Sequence, residues 1–230
     1  MLIYIAMEEN NLVGTVKYYS RHVVVLTEKS DWSERIESSS SFISKLIVTV
    51  AKNPELSSVL KITAATGNKA VKGNDILIFP DMVRYSDVGS DDIENDVNCL
   101  VNDQLINGKV SSSLSSSRFS GKHIFVCTHA ARDERCGIYG PGMITKLSEQ
   151  LIKHGHEDVT VYSASHVGGH KFAGCLLAYP EGDWYGLLNA DLMENFVDQC
   201  LTKNEILQNY WRGRMGVHPE EQISISKNWK

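Results

Sequence analysis

Long apolar runs are missing from this chain: no segment approaches the about 20 residues a helix needs to cross a bilayer. A basic surplus is missing too. With 23 Lys and Arg against 28 Asp and Glu the formal net charge is −5, which gives no electrostatic reason to expect nucleic acid as a partner. Only five cysteines are present, an odd number and widely scattered, so a disulfide framework is not expected and a reducing compartment is. There is no C-x-x-C pair, no G-x-S-x-G elbow, no outstanding pair of carboxylates and no glycine-rich nucleotide fingerprint. Thiol–disulfide exchange and hydrolysis are therefore weak readings. The opening MLIYIAMEENN has acids after its short apolar run and no basic residue before it, unlike a secretory signal or an Arg-rich transit peptide. The expectation is a cytoplasmic protein without membrane association, a mitochondrial location being left open. The 42% hydrophobic and 22% charged residues suffice for one sizeable core or two small domains.

Two pairs of metal-ligating residues stand out from this plain background. Cys127 and Cys136 lie nine positions apart in FVCTHAARDERCG, and 30 positions after the second comes His166-Val-Gly-Gly-His170. A cysteine pair alone is common, and a lone histidine is more often a core or surface residue than a ligand. Together, two thiols and two imidazoles make a complete four-ligand set for iron–sulfur or zinc chemistry, because those metals select soft and borderline donors. A compact zinc knuckle spaces its cysteines about two to four residues apart; here the segment Thr128 to Arg135 intervenes. Such a loop suits something larger than one ion. The glycines between the histidines disfavour a helical His pair and let backbone N–H groups approach a cluster closely. On these grounds a two-iron cluster is the better guest, with a single zinc ion as the alternative.

The strings CTHAARDERCG and SHVGGHKFAG resemble the signature of the sucrase/ferredoxin-like family of thioredoxin-like [2Fe–2S] ferredoxins. That pattern reads roughly C-x-H-G-x-R-D-x-R-C-G, then S-H-x-G-G-H-K-[FY]-A-G-N. Further family marks are Gly14-Thr15-Val16, Arg21-His22-Val23, the stretch GNDILIFPDMVRY from Gly73 to Tyr85, Trp184-Tyr185-Gly186, Trp211-Arg212-Gly213 and Glu221-Gln222. The likeness runs from about Gly14 to Gln222. It implies a [2Fe–2S] cluster as cofactor, with Cys127, Cys136, His166 and His170 as its ligands. Ala130 stands where Gly is usual, and Cys175 where Asn is usual. Cys175 reads either as a spare ligand or as a small buried residue; the second is favoured because free cysteine is so often core.

The pattern breaks at GKVSSSLSSSRFSGK, whose serines read as a flexible connection. The expected organisation is an N-terminal domain over 1–110 without ligands, a Ser-rich linker over 111–120 and a C-terminal ferredoxin domain over 121–230. In the first, His22–Thr27, Val59–Thr63 and Asp75–Phe79 read as strands and Asp31 to Asn53 mainly as helix. A helical stripe follows at Ile93, Val97, Leu100, Val101 and Leu105. In the second, His123–Cys127 and Val159–Tyr162 read as strands, and Phe172–Tyr179 with Trp184–Leu188 as an antiparallel pair. Gly140-Pro141 is expected to open one helix and Asp191 to cap another. The fold class is α/β, an α+β sandwich of two thioredoxin-like domains with β-α-β-β-α order in each. Cys127 then ends a central strand, Cys136 sits in the loop before a helix, and both histidines follow the next strand.

Function follows as an expectation from charge. Two thiolates and two neutral imidazoles balance a formally dipositive oxidised cluster core, where four thiolates would leave a dianion, so histidine ligation raises the reduction potential. The second imidazole nitrogen lets proton and electron transfer couple. The expected role is a one-electron, proton-coupled carrier or sensor; the alternative is a structural zinc-binding protein or interaction module with the same four ligands. Expected partners are an unidentified redox protein and the iron–sulfur assembly machinery. Arg132 and Arg135 either face the cluster or pair with neighbouring acids. His129 is a candidate neighbour of the ligands, Lys171 a candidate counter-charge, His154 and His156 mark a helix end, and Cys99 is a bystander.

Overall fold

The computed structural model describes residues 12–67 and 74–229, apart from the side chain of His170. The opening segment 1–11 and Gly73 therefore lie outside the described residues. In chain order the first half runs β1 (Arg21–Leu26), α1 (Ser41–Ala51), α2 (Pro54–Val59), β2 (Leu60–Gly67), β3 (Asn74–Phe79), β4 (Val83–Val88) and α3 (Ile93–Cys99). The last continues as a π-helical stretch, Leu100–Ile106. After β5 (Ser116–Arg118) the second half runs β6 (Lys122–Cys127), α4 (Glu134–His154), β7 (Val159–Ala164), β8 (Leu176–Tyr179), β9 (Asp183–Tyr185) and α5 (Met193–Phe196), with β10 (Trp211–Arg214) and α6 (Pro219–Lys227) closing it.

The two halves repeat one topology. β1 pairs parallel with β2 and antiparallel with β3, which pairs with β4. β6 pairs parallel with β7 and antiparallel with β8, which pairs with β9. This is the expected α/β, thioredoxin-like arrangement in duplicate, with β4 in the first half as the counterpart of β9 in the second. β2 and β7 join the halves antiparallel through Ala65–Ala164, Thr66–Ser163 and Gly67–Tyr162. Among the described residues the result is one ten-stranded sheet ordered β10-β9-β8-β6-β7-β2-β1-β3-β4-β5.

That sheet is curled. β3 and β8 are five strands apart in it, which at about 4.8 Å per strand is about 24 Å on the flat. Yet the Phe79 and Tyr179 rings, one on each, stack with centroids 4.1 Å apart. The concave face closes on a core shared by both halves, with Val24, Leu77 and Phe79 from the first and Phe125, Tyr162 and Tyr179 from the second. The helices pack on the opposite face, α1 and α3 over Val23 and Val25, α4 and α5 over Ile124 and Val126.

Several boundaries differ from the sequence reading. The helix expected across Asp31 to Asn53 is confined to α1 after a short 3-10 turn, Ile36–Ser38, because Ser40 caps it by accepting the Ile43 N–H at 3.1 Å. Part of the 111–120 segment is built into the sheet rather than left loose. β5 pairs with β4, and the Ser111 hydroxyl donates to Asp103 at 2.7 Å. α4 starts at Glu134, seven residues before Pro141, because the Asp133 carboxylate caps it through the Arg135 N–H. Asn189, not Asp191, caps the helical turn that leads into α5.

Candidate metal centre

The site is assembled by three chain segments. β6 delivers Cys127 at its C-terminal end, where the Cys127 N–H donates to the Cys175 carbonyl at 3.0 Å and the Thr128 N–H to the Ala164 carbonyl at 3.0 Å. After the turn capped by Asp133, Cys136 is the third residue of α4, one step inside the helix rather than in the loop before it. There the partial positive charge of the helix end favours negative charge on the thiol pair as a whole. α4 lies directly against the strand end. A Cβ at Gly140 would sit 2.5 Å from the Cys127 carbonyl oxygen, so the helix reaches this approach only with glycine there. That contact holds the first turn, and Cys136, over Cys127.

The third segment follows β7. Ser165 extends the pairing with β2, donating its N–H to the Ala64 carbonyl at 2.8 Å and accepting the Ala64 N–H at 2.9 Å. The His166 N–H then donates to His129 Nδ1 at 3.1 Å, and His129 Nε2 donates to the Trp32 carbonyl at 3.2 Å. His129 thus ties the cysteine loop, the histidine loop and the first half together. His166 Nδ1 comes 4.0 Å from the Cys127 sulfur and 3.9 Å from the Cys136 sulfur. The three ligand atoms all lie within 4.8 Å of one another, and both cysteines are 1% exposed. His170 lies in the 3-10 turn His170–Phe172; its side chain, the fourth expected ligand, is outside the described residues.

The two thiols act as one unit electrostatically. A hydrogen bond with Cys136 holds the Cys127 thiol below its ordinary range, assisted against burial by His166 and by the amides of His129 and Val167. The same bond, with burial and the Cys127 charge, pushes Cys136 upward. The two thiols are thus coupled, with negative charge favoured on Cys127 over Cys136. Two cations stand behind it. Lys61 on β2 donates to the Val167 carbonyl at 2.6 Å; Arg212 on β10, 2% exposed, donates to the Gly168 carbonyl at 3.3 Å and the Cys175 sulfur at 3.4 Å. Gly168 and Gly169 both have positive φ, 102° and 74°, and a Cβ at Gly169 would collide with the Arg212 guanidinium. The glycine pair is thus required by the turn and by the arginine it admits.

The remaining expected residues fall outside this cluster. Cys175 is buried, its thiol donating to the Phe172 carbonyl at 3.1 Å, and burial pushes it up to about 11. Arg135 pairs with Asp133 at 2.9 Å and Arg132 with Glu34 at 3.3 Å, exposed pairs that orient the loop. Lys171 is exposed and lies over the Phe172 ring at 4.8 Å. His156 meets the Thr202 hydroxyl at 3.0 Å beyond the end of α4. Lys61 and the functional place of Arg212 were not read from the sequence. No local signal marks them, since Lys61 is 106 positions from the carbonyl it grips.

His129→Phe keeps a ring of similar size but leaves the His166 N–H and the Trp32 carbonyl without their partner. Each buried group so orphaned costs about 1–3 kcal/mol. The variant is expected to lose at least about 2 kcal/mol of unfolding free energy in urea titrations; parent-like stability would show that His129 does not tie the loops.

A thioredoxin-like [2Fe–2S] ferredoxin from Aquifex aeolicus aligns with 44% of this chain and 97% of its own, at 17% identity and a TM-score of 0.37. Actin patches distal protein 1 of Saccharomyces cerevisiae is 26% identical over 236 residues, covering 86% of this chain and 73% of that protein. Altered inheritance of mitochondria protein 32 of Candida glabrata is 24% identical over 260 residues, covering 90% and 82%. No helix among the described residues is long and apolar enough to cross a membrane. The family model for sucrase/ferredoxin-like proteins matches residues 12–213, both ligand loops included, and the chain belongs to that family.

Proposed function

We propose that this chain is a one-electron redox protein, a carrier or sensor, holding a [2Fe–2S] cluster through Cys127, Cys136, His166 and His170. The observation that carries the reading is the convergence of two buried thiols and one imidazole within 4.8 Å. The donor set fits such a cluster in kind: soft sulfur with borderline nitrogen. The surroundings fit it in charge, since Cys127 already receives two backbone amides and Lys61 and Arg212 stand behind the site. The same three donors also suit a single structural zinc ion, which is the competing reading.

When bound, the cluster supplies a one-electron couple. The chain's own residues do the rest. The burial of Cys127 and Cys136 excludes water from the sulfurs, and Lys61 and Arg212 offset negative charge gained there. His166 turns Nδ1 toward the sulfurs while its ring also lines an open cleft with Glu34, Glu37 and Arg132. That cleft gives a proton on the ring a path to solvent, which supports proton-coupled transfer. A redox partner protein and the iron–sulfur assembly machinery follow from this role. All five cysteines are free thiols, as suits a reducing compartment such as the cytoplasm.

The test is composition. Protein expressed with iron and purified without oxygen is expected to be red-brown, with about two irons and two acid-labile sulfides per chain. Stoichiometric zinc without sulfide under the same conditions would replace this reading with the structural one.

A further inference from the structure

A cavity of about 650 Å³ opens beside the metal centre, between the segment Thr15–Tyr19, the start of β2 and the turn Val167–Gly169. Four cations line it, Lys17, Lys61, Lys171 and Arg212, and among the described residues no carboxylate does. This is unexpected in a chain of net charge −5. Among the described residues, none of the four takes part in an ion pair. Among the described residues the inner two are hydrogen-bonded without a carboxylate: Lys61 to the Val167 carbonyl and Arg212 to the Thr15 hydroxyl, the Gly168 carbonyl and the Cys175 sulfur. Both lie over the face of Trp184, at 4.9 and 5.4 Å, and Arg212 also over Phe172.

Two like charges set close together in a largely buried place are unfavourable unless something anionic joins them. Ring faces and carbonyls soften that cost but bring no net charge, and the Cys127 and Cys175 sulfurs offset it only in part, since burial and Arg212 still lower the Lys61 pKa to about 8. The outer two, Lys17 and Lys171, are exposed and continue the positive potential to solvent, which draws anions inward. The remaining wall is apolar, from Val16, Tyr19, Leu60, Phe172 and Trp184. A cavity of this volume is in the range that holds a small molecule.

We propose that this cavity binds a small organic anion, with a phosphate or carboxylate gripped by Lys61 and Arg212 and an apolar body against Trp184 and Phe172. The site needs no cluster to form. Because Val167, Gly168 and Gly169 make one wall, its occupant touches the loop that carries His166 and His170, so the two sites are physically joined.

Lys61 provides a readout that separates binding from folding. Burial first, and the Arg212 charge second, lower its pKa from 10.5 to about 8. Between those values the unfolded chain holds a proton that the folded one has shed, so stability rises with pH across that window. Below about pH 8 the charged Lys61 is a full burden on the ligand-free fold. Lys61→Met removes the burden, so at pH 7 the variant is expected to melt higher than the parent without ligand.

Phenyl phosphate, inorganic phosphate and neutral benzyl alcohol are the probes, titrated into the full-length protein by calorimetry and by melting temperature. Phenyl phosphate is expected to bind saturably and raise the melting temperature. Inorganic phosphate should bind at least tenfold more weakly, and benzyl alcohol should not compete. In Lys61→Met, phenyl phosphate binding should weaken at least tenfold despite the more stable fold. The exposed double variant Lys17→Ala/Lys171→Ala should weaken it severalfold without a change in fold. Absence of saturable phenyl phosphate binding at millimolar concentration, or parent-like affinity in both variants, would overturn the proposal. Equal affinity for inorganic phosphate would overturn the organic part and leave a phosphate site alone.

Discussion

Cys136→Ser, expressed with iron and purified without oxygen, is expected to be colourless, with less than about a tenth of the parent's iron and sulfide. A ligand should matter at least as much as the outer-shell partners, whose loss already costs about 10–100-fold in metal affinity. The reason is donor chemistry at a fixed position. Cys136 is held in the first turn of α4, 1% exposed, with its sulfur 3.9 Å from His166 Nδ1. A serine hydroxyl there is a harder donor and keeps its proton, so it offers neither the softness nor the charge that iron–sulfur binding requires. Cys127→Ser should behave alike, because the end of β6 allows it no alternative placement. Cys175→Ala is the control and should keep full iron content. Its thiol is already committed to the Phe172 carbonyl and to Arg212, outside the group of three converging donors. Undiminished iron and sulfide in both serine variants would remove the two thiols from the ligand set.

The parts of this molecule legible in its sequence are those where one residue type does one job. RHVVVL, NDILIF and KHIFVC are buried on both faces and read directly as strands β1, β3 and β6. β4, VRYSDV, buries Val83, Tyr85 and Val88 between polar residues and carries too weak an apolar pattern to be read. β5 lies within serines whose composition suggests a loose linker; its place in the sheet comes from pairing with β4, which no local pattern announces. At α4 the cap is Asp133, which accepts the Arg135 N–H and starts the helix seven residues before Pro141. The helix tolerates proline within it and so takes Cys136 into its first turn. The ligand spacing was legible because it is local. The cations behind the ligands were not, because Lys61 reaches the histidine loop through the long-range pairing of β2 with β7, and Arg212 through the last strand, β10.

Phe125→Ala is expected to lower the unfolding free energy by about 3–5 kcal/mol, the cost of emptying an aromatic core position. Phe125 is 1% exposed at the centre of the concave core. Its ring stacks on Tyr162 at 4.7 Å and meets Phe79 and Tyr179 edge-on at 5.8 Å, with His22 at 6.4 Å. Phe79 and His22 belong to the first half and the others to the second. His22 also bonds across the joint, Nδ1 to the Tyr179 hydroxyl at 2.5 Å, while Nε2 bonds the Thr63 hydroxyl at 2.8 Å. Burial keeps His22 well below the ordinary histidine range, so it stays neutral in the core. Among the described residues the β2–β7 seam pairs Ala65 with Ala164, Thr66 with Ser163 and Gly67 with Tyr162, extended by Ser165 on Ala64, and most of these side chains are small. The aromatic core, not the seam, is therefore what makes the halves depend on each other. A loss of this size shifts the urea midpoint down by about 1–2 M. The transition should also stay single, because neither half can keep its concave face covered once the other has left. Far-ultraviolet circular dichroism and tryptophan fluorescence read both halves together, since Trp32 sits in the first and Trp184 and Trp211 in the second. Coincident curves, displaced together in Phe125→Ala, are the expected result. Two separated transitions, with one left unmoved by the substitution, would mean that the halves fold as independent domains and that the shared core adds little to either.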